Sequence, residues 1–385
     1  MKLRPLTPRD PQESHRVASP LELFTDLCYV VGVSQAANQL HHQVGEGRTL
    51  HGLVFFVIAF FAIWWAWMNF AWFNSAYDND DVISRVLTLL QVFGSLVVAA
   101  GIPNMFEEDF RLGVAGYSIM RIGLVLLWLR AAAGHPEGRR TALRYALGLF
   151  ISQATWIAFL AVPHDLLIPV FVVLAAYDQS VPYLAERAGS TPWHPHHIAE
   201  RYGLFFIIVL GETVLSATAA IQLAIDGEAS RFALGSVVIG GVLIVFSAWW
   251  LYFSREAADV LDRDGYQFVW GIGHYFIYVS VALLGAALAL RIDFYGSKSE
   301  VSDLTSALLI TVTVAVFLAL LWVVCVRPHD ASRRTAVPFA LAVAAVIAST
   351  WTPRPELAAG IICVLLLTAE VRLTSESETS VGAAN

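Results

Sequence analysis

Two acidic clusters carry the plainest chemistry in this chain. Asp78-Asn79-Asp80-Asp81 follows an apolar run that holds Trp64-Trp65. Arg255, Glu256, Asp259, Asp262 and Asp264 follow a second run, which holds Trp249-Trp250. Oxygen-rich clusters of this kind suit Mg²⁺, which is held by one or two carboxylates plus phosphate oxygens. Asp80, Asp81, Asp259 and Asp262 are therefore the expected metal ligands, and Asp78, Asp80 and Asp81 the expected catalytic acids. A solvated acidic loop is the ordinary reading of such a run. Against it, Asn69, Asn74 and Tyr77 extend the polar character back into the apolar run, and Arg85 follows four residues after Asp81.

Four more charges lie in or at the edge of apolar sequence. Ser19-Pro20-Leu21-Glu22 has the form of a helix start, with Ser19 as N-cap and Glu22 as capping-box acid. Asp26 is one turn further on the same face, and like charges at that spacing repel. It needs a proton, a cation or an arginine, and an ionisable group within a membrane span is a functional candidate by default. Glu212 lies near the middle of a later run, with Arg121 at similar depth in another. A structural ion pair between these two, a proton-binding carboxylate and an anion-binding guanidinium are all open readings.

The elements that must position these groups are membrane helices. The chain is 57% apolar and 14% charged, and a helix needs about 20 apolar residues to cross the hydrocarbon core. Twelve runs of this kind are read at roughly 20–41, 50–73, 83–101, 110–131, 141–161, 166–185, 200–222, 232–254, 266–290, 303–326, 335–350 and 355–372. The expected fold is an all-α integral membrane protein of about twelve transmembrane helices in two parallel six-helix halves, as in some transporters. The expected divisions are a tail at 1–19, a first half at 20–188, a linker at 189–199, a second half at 200–372 and a tail at 373–385. With the N-terminus cytoplasmic, the tails and even-numbered loops hold 17 of the 24 basic residues, so both termini and both acidic clusters are expected on that side. Met1 to Pro20 is charged and proline-rich, with no apolar stretch of the signal-peptide kind. Cys28, Cys325 and Cys363 lack metal-like spacing and read as buried thiols. No basic tract for nucleic acid is present.

Aromatics are abundant, with 12 Trp, 12 Tyr and 23 Phe. Trp64, Trp65, Trp249 and Tyr278 are candidates for a cavity lining that would stabilise a carbocation, although packing or lipid-facing aromatics are the ordinary reading. His194, His196 and His197 read as a surface loop, and His274 as a core histidine or a proton carrier.

The Asp-x-Asp-Asp pattern matches the acid motif of class II terpene cyclases, where an aspartic acid protonates an alkene or epoxide. Two acidic motifs in two helical halves are similar in placement, though not in spacing, to membrane prenyltransferases of the UbiA type, which hold diphosphate through Mg²⁺. Over nearly its whole length the chain resembles the bacterial low-temperature-requirement A family. The resemblance is carried by Ser19 to Leu27, Tyr77 to Asp81 with Arg85, Tyr117 with Arg121, and Glu200-Arg201 through Glu212. It implies a polytopic bacterial inner-membrane protein, and its motif residues correspond here to Glu22, Asp26, Asp78, Asp80, Asp81, Arg85, Arg121, Glu200, Arg201 and Glu212.

The expected function is a membrane enzyme of terpene-cyclase or prenyl-diphosphate-processing type acting on an isoprenoid or other lipophilic substrate, using the acidic clusters, Asp26 and Glu212, with Arg85, Arg121, Arg201, Asn69 and Asn74 on the substrate. The alternative is a proton-coupled secondary transporter with a midplane carboxylate and arginine. The orientation underlies both. A cysteine placed at Arg139 should resist labelling from outside the cell, and strong labelling there would reverse the topology.

Overall fold

Long apolar runs form helices because the hydrocarbon core offers their backbone N–H and C=O groups no other partner. The computed structural model describes residues 5–10, 13, 17–226, 230–261, 263, 265–297 and 301–382, with the side chains of 212, 216, 217, 219, 220, 223–226 and 374–382 outside the described set. Among the described residues there are only helices and turns. The helices are α1 (Pro20–Gly45), α2 (Thr49–Tyr77), α3 (Val82–Phe106), α4 (Arg111–Gly134), α5 (Arg139–Phe159), α6 (Leu167–Glu186), α7 (Pro195–Asp226), α8 (Arg231–Tyr252), α9 (Ala258–Leu261), α10 (Tyr266–Tyr295), α11 (Asp303–Leu321), α12 (Arg333–Ala348) and α13 (Pro355–Gly382).

Each apolar run corresponds to one of the longer helices. Eight elements are long and apolar enough among the described residues to cross a membrane: α2, α3, α4, α6, α8, α10, α11 and α12, some with a flanking turn. The remaining long helices differ for visible reasons. α1 carries Glu22 and Asp26, α5 begins with Arg139, Arg140 and Arg144, α7 runs into side chains outside the described set, and α13 carries Glu356, Glu370 and Arg372. The chain is a multi-pass, all-helical membrane protein.

Contacts divide the chain into two compact units, Met1–Ala36 with Ile58–Arg201, and Ala37–Val57 with Tyr202–Asn385. The hairpin at 37–57 groups with the second unit, where its partners lie. His41 Nε2 meets Asp293 Oδ2 at 2.7 Å, and the Tyr275 hydroxyl donates to the Val57 carbonyl at 2.8 Å.

In the first unit α3 and α4 pack with their backbones touching. A Cβ on Gly116 would stand 2.7 Å from both the Gly94 carbonyl oxygen and the Val98 nitrogen, and one on Gly101 would stand 2.9 Å from the Gly113 nitrogen. The second unit has the same device between α8 and α13, where a Cβ on Gly360 would stand 2.8 Å from the Gly240 carbonyl oxygen. Lipid tails are as apolar as leucine, so close backbone approach through small residues supplies much of the attraction between such helices. Gly116→Val meets backbone that cannot yield, and should cost roughly 1–3 kcal/mol or more. Gly235→Ala meets nothing within 4 Å and should leave thermal stability in detergent unchanged or slightly raised. Equal melting temperatures for Gly116→Val and the parent would refute this packing.

Candidate functional site

The capping box at the start of α1 forms as its sequence implies. The Ser19 amide donates to Glu22 Oε2 at 2.8 Å, and the Glu22 amide donates to Ser19 Oγ at 3.3 Å. This cap leaves Glu22 Oε1 facing the first turns of α7. There His197 and Arg201, four residues apart, form a second one-face pair opposite Glu22 and Asp26. Arg201 Nη2 lies 2.5 Å from Asp26 Oδ1, and Arg201 Nη1 lies 3.2 Å from Glu22 Oε1. His197 Nε2 lies 3.3 Å from that same oxygen. Trp67 on α2 donates its indole N–H to Asp26 Oδ1 at 2.8 Å, and the Phe70 ring lies 5.5 Å from the guanidinium carbon. Exposure is 1% for Glu22 and 0% for Asp26, His197 and Arg201. Asp26 Oδ2 has no hydrogen-bond partner among the described residues. The arginine that Asp26 required is therefore Arg201.

His197 was expected on a surface loop with its neighbours. Instead α7 begins at Pro195, so His197 sits in its first turn and is fully buried.

A second buried ion pair lies about half-way along its helices. Arg121 on α4 donates from Nη2 to Asp178 Oδ1 on α6 at 2.9 Å. Ser152 donates to the same oxygen at 2.5 Å, and the Trp156 indole to Oδ2 at 2.8 Å. The guanidinium carbon lies 5.1 Å from the centre of the Tyr117 ring. Asp178 therefore supplies the ion pair expected of Glu212, whose side chain lies outside the described residues. The rule that picked out Asp26 applies equally to Asp178, which stands in the apolar run of α6 and was missed. Asp178 and Tyr117 border a cavity of about 40 Å³, whose walls include Phe61, Phe110, Trp156 and Phe171. Tyr29, on α1 beyond Asp26, is within electrostatic reach of Asp26 and Arg201 and also of Arg121 and Tyr117.

The first acidic cluster is a structured turn. Asp78 Oδ1 accepts the Asp80 amide at 3.0 Å, and Asp80 has φ 47°, in the left-handed region. Asp80 forms a two-bond pair with Arg85, each bond 2.7 Å. Asp81 caps α3 by accepting the Ser84 amide at 2.9 Å, and Arg130 grips both of its oxygens. Glu22, Asn74, Asp78, Asp80 and Arg85 do come together, around a cavity of about 10 Å³. Asn69 donates back to the Trp65 carbonyl at 2.7 Å within α2.

In the second unit Asp259 is exposed on the short α9, and Asp262 and Asp264 lie outside the described residues. Arg255 pairs with Glu370 at 2.7 Å. Trp249 and Trp250 are about half exposed, at 47% and 53%, whereas Trp64 and Trp65 are buried. Tyr278 is fully buried and donates to the Tyr202 carbonyl at 2.8 Å. His274 is a core histidine, its Nδ1 lying 2.8 Å from the Trp270 carbonyl oxygen. A third buried arginine, Arg291, holds Glu356 at 3.2 Å and Asp303 at 2.5 Å.

Among the described residues no three His, Cys, Asp or Glu side chains converge as a metal site. Asp80 and Asp81 each face an arginine that already supplies the positive charge a Mg²⁺ ion would bring. The described donors therefore do not fit the expected Mg²⁺ centre.

The Asp81 pair has a pH signature. Hydrogen bonding to Arg130 holds its carboxyl below the usual range, so its stabilisation is present above that range and is lost as pH falls through the depressed value. Asp81→Asn should lower the melting temperature at pH 7, with the deficit shrinking below about pH 4. A deficit independent of pH would leave capping alone as the role of Asp81.

Comparison with known proteins agrees with the motifs quoted above. An uncharacterized protein of Rhizobium meliloti (strain 1021) is 29% identical over 275 residues, covering 67% of this chain and 65% of that protein's own length. This chain thus spans less than two thirds of that relative. No solved structure matches. The model of the bacterial low temperature requirement A proteins matches residues 17–371, and on that extent of agreement the chain belongs to the LtrA family.

Proposed function

We propose that this protein is a proton-coupled carrier of the bacterial inner membrane, with twelve crossing helices and both termini cytoplasmic. The observation that carries this reading is the charge count of the buried α1–α7 cluster. Glu22 and Asp26 bring two negative charges and Arg201 brings one positive charge. An uncompensated charge at such a depth costs several kcal/mol. Neutrality therefore needs one more proton, held by His197, Asp26 or Glu22. A site that is neutral only with one mobile proton is a proton-binding site. Tyr29 is within electrostatic reach of Asp26 and Arg201 in this cluster and of Arg121 near mid-span.

The isoprenoid-enzyme reading has one observation in its favour, the aromatic wall of the cavity beside Asp178. At about 40 Å³ that space holds about three waters, at ~10–15 Å³ each. An isoprenoid chain would need a wider conformation.

Asp26→Asn separates folding from coupling. It leaves Arg201 and Glu22 as a neutral pair and keeps an oxygen for Trp67, so the cluster is neutral without a mobile proton. In proteoliposomes loaded with a pH dye, solute gradients should drive internal pH changes with the parent protein. Asp26→Asn should fold normally and reduce those changes at least ten-fold. Undiminished proton movement in the variant would overturn the reading. Turnover of an isoprenyl diphosphate by a preparation showing no flux would favour the enzyme instead.

A further inference from the structure

We propose that Arg121 and Asp178 form a binding site for a small monocarboxylate, taken up together with one proton. This rests on the carrier reading above and names its substrate class.

The first argument is unfilled hydrogen-bonding capacity. Arg121 is 4% exposed, and its guanidinium has five N–H donors. Nη2 donates to Asp178, and the Tyr117 hydroxyl is within hydrogen-bonding reach of the same guanidinium. Nε and Nη1 make no hydrogen bond among the described residues. Buried donors of a charged group are costly to leave unmade. On the next helix Gln153 donates to Ser118 Oγ at 2.7 Å, and its own Oε1 is also unpartnered. The level of the membrane that holds Arg121 thus carries spare donors and a spare acceptor.

The second argument is space. Arg121 stacks on Tyr117 and pairs with Asp178, and both of these residues border the cavity of about 40 Å³. The remaining wall is apolar and aromatic, with Phe61, Phe110, Trp156 and Phe171. Such a lining suits a short hydrocarbon stub. A single guanidinium offsets one negative charge, which excludes a phosphate dianion and selects a monovalent group.

Charge balance then fixes the stoichiometry. Arg121 with ionised Asp178 is neutral, so an anion entering alone would leave one negative charge in a low-dielectric site. An anion entering with a proton does not. The proton goes to Asp178, the Arg121–Asp178 pair opens, and the guanidinium turns to the incoming carboxylate. Ser152, which donates to Asp178 in this structure, can accept from the protonated acid because a hydroxyl both donates and accepts. The groups facing Asp178 are Arg121 and Tyr117 on α4, Ser152 and Trp156 on α5, and Tyr177 on its own helix. None of these supplies a second positive charge.

The test uses the purified full-length chain in detergent, with sodium acetate as probe against sodium chloride at constant ionic strength. Acetate should raise the melting temperature saturably, more strongly at pH 5.5 than at pH 8, with one proton taken up per acetate bound in weakly buffered solution. Asp178→Asn imitates the protonated acid and frees Arg121. It should bind acetate at least ten-fold more tightly, without proton uptake and with no pH dependence. Arg121→Gln should abolish both effects. Should that variant fail to fold, Asp178→Asn decides alone. No saturable acetate effect in either the parent or Asp178→Asn overturns the proposal, as does weaker binding in Asp178→Asn. Acetate binding with proton uptake but no proton-linked flux in liposomes would overturn the carrier reading and leave this site standing. Proton-linked flux of other solutes without acetate binding would do the reverse.

Discussion

A fully buried guanidinium between two carboxylates constrains the first unit more than any other contact. Arg201 can lie at 0% exposure only because Glu22 and Asp26 meet it from one face of α1, and those two acids can share a face only because Arg201 separates their charges. The capping box fixes where α1 begins, Pro195 fixes where α7 begins, and the four-residue spacing in each helix sets the two pairs opposite each other. Trp67 and Phe70 on α2 close the site. Removing Arg201 leaves two bare carboxylates where water cannot reach them, so the register of three helices follows from a single electrostatic requirement.

The acidic residues of this chain separate into two kinds by environment. Asp78, Asp80 and Asp81 lie at a helix junction and serve geometry: a turn through a positive φ, a cap on α3, and ion pairs with Arg85 and Arg130. Asp26 and Asp178 lie within the helices and have arginine partners from other helices. Chemistry that needs protons to come and go is better served by the second kind, because burial makes each charge state costly unless something compensates it. The conspicuous motif is tied into its turn by Arg85 and Arg130, whereas the solitary carboxylates are paired across helices.

The same economy of small residues organises both units. Glycines let α3 meet α4 and α8 meet α13 at backbone contact, and helices held this closely give the ion pairs fixed positions. On the carrier reading proposed above, elements must move as rigid bodies around a site, and backbone-to-backbone contact is one way to make a helix pair stiff.

The sequence by itself determined the class of the fold and the positions of its helices, because a bilayer admits few solutions and long apolar runs announce them. It also determined the capping box at Ser19–Glu22 and the need of Asp26 for a positive partner, since both follow from spacing along one helix. Partner choice was decided by the tertiary structure. Arg201 goes to Asp26, 175 positions away, and Arg121 to Asp178, 57 away, and no local pattern encodes which distant helix lies alongside. The two Trp-Trp pairs look alike in sequence, yet one is buried and the other half exposed, because burial belongs to the neighbours and not to the residue. The grouping of the 37–57 hairpin with the second unit was equally out of reach, for the contacts that draw it there join residues more than two hundred positions apart.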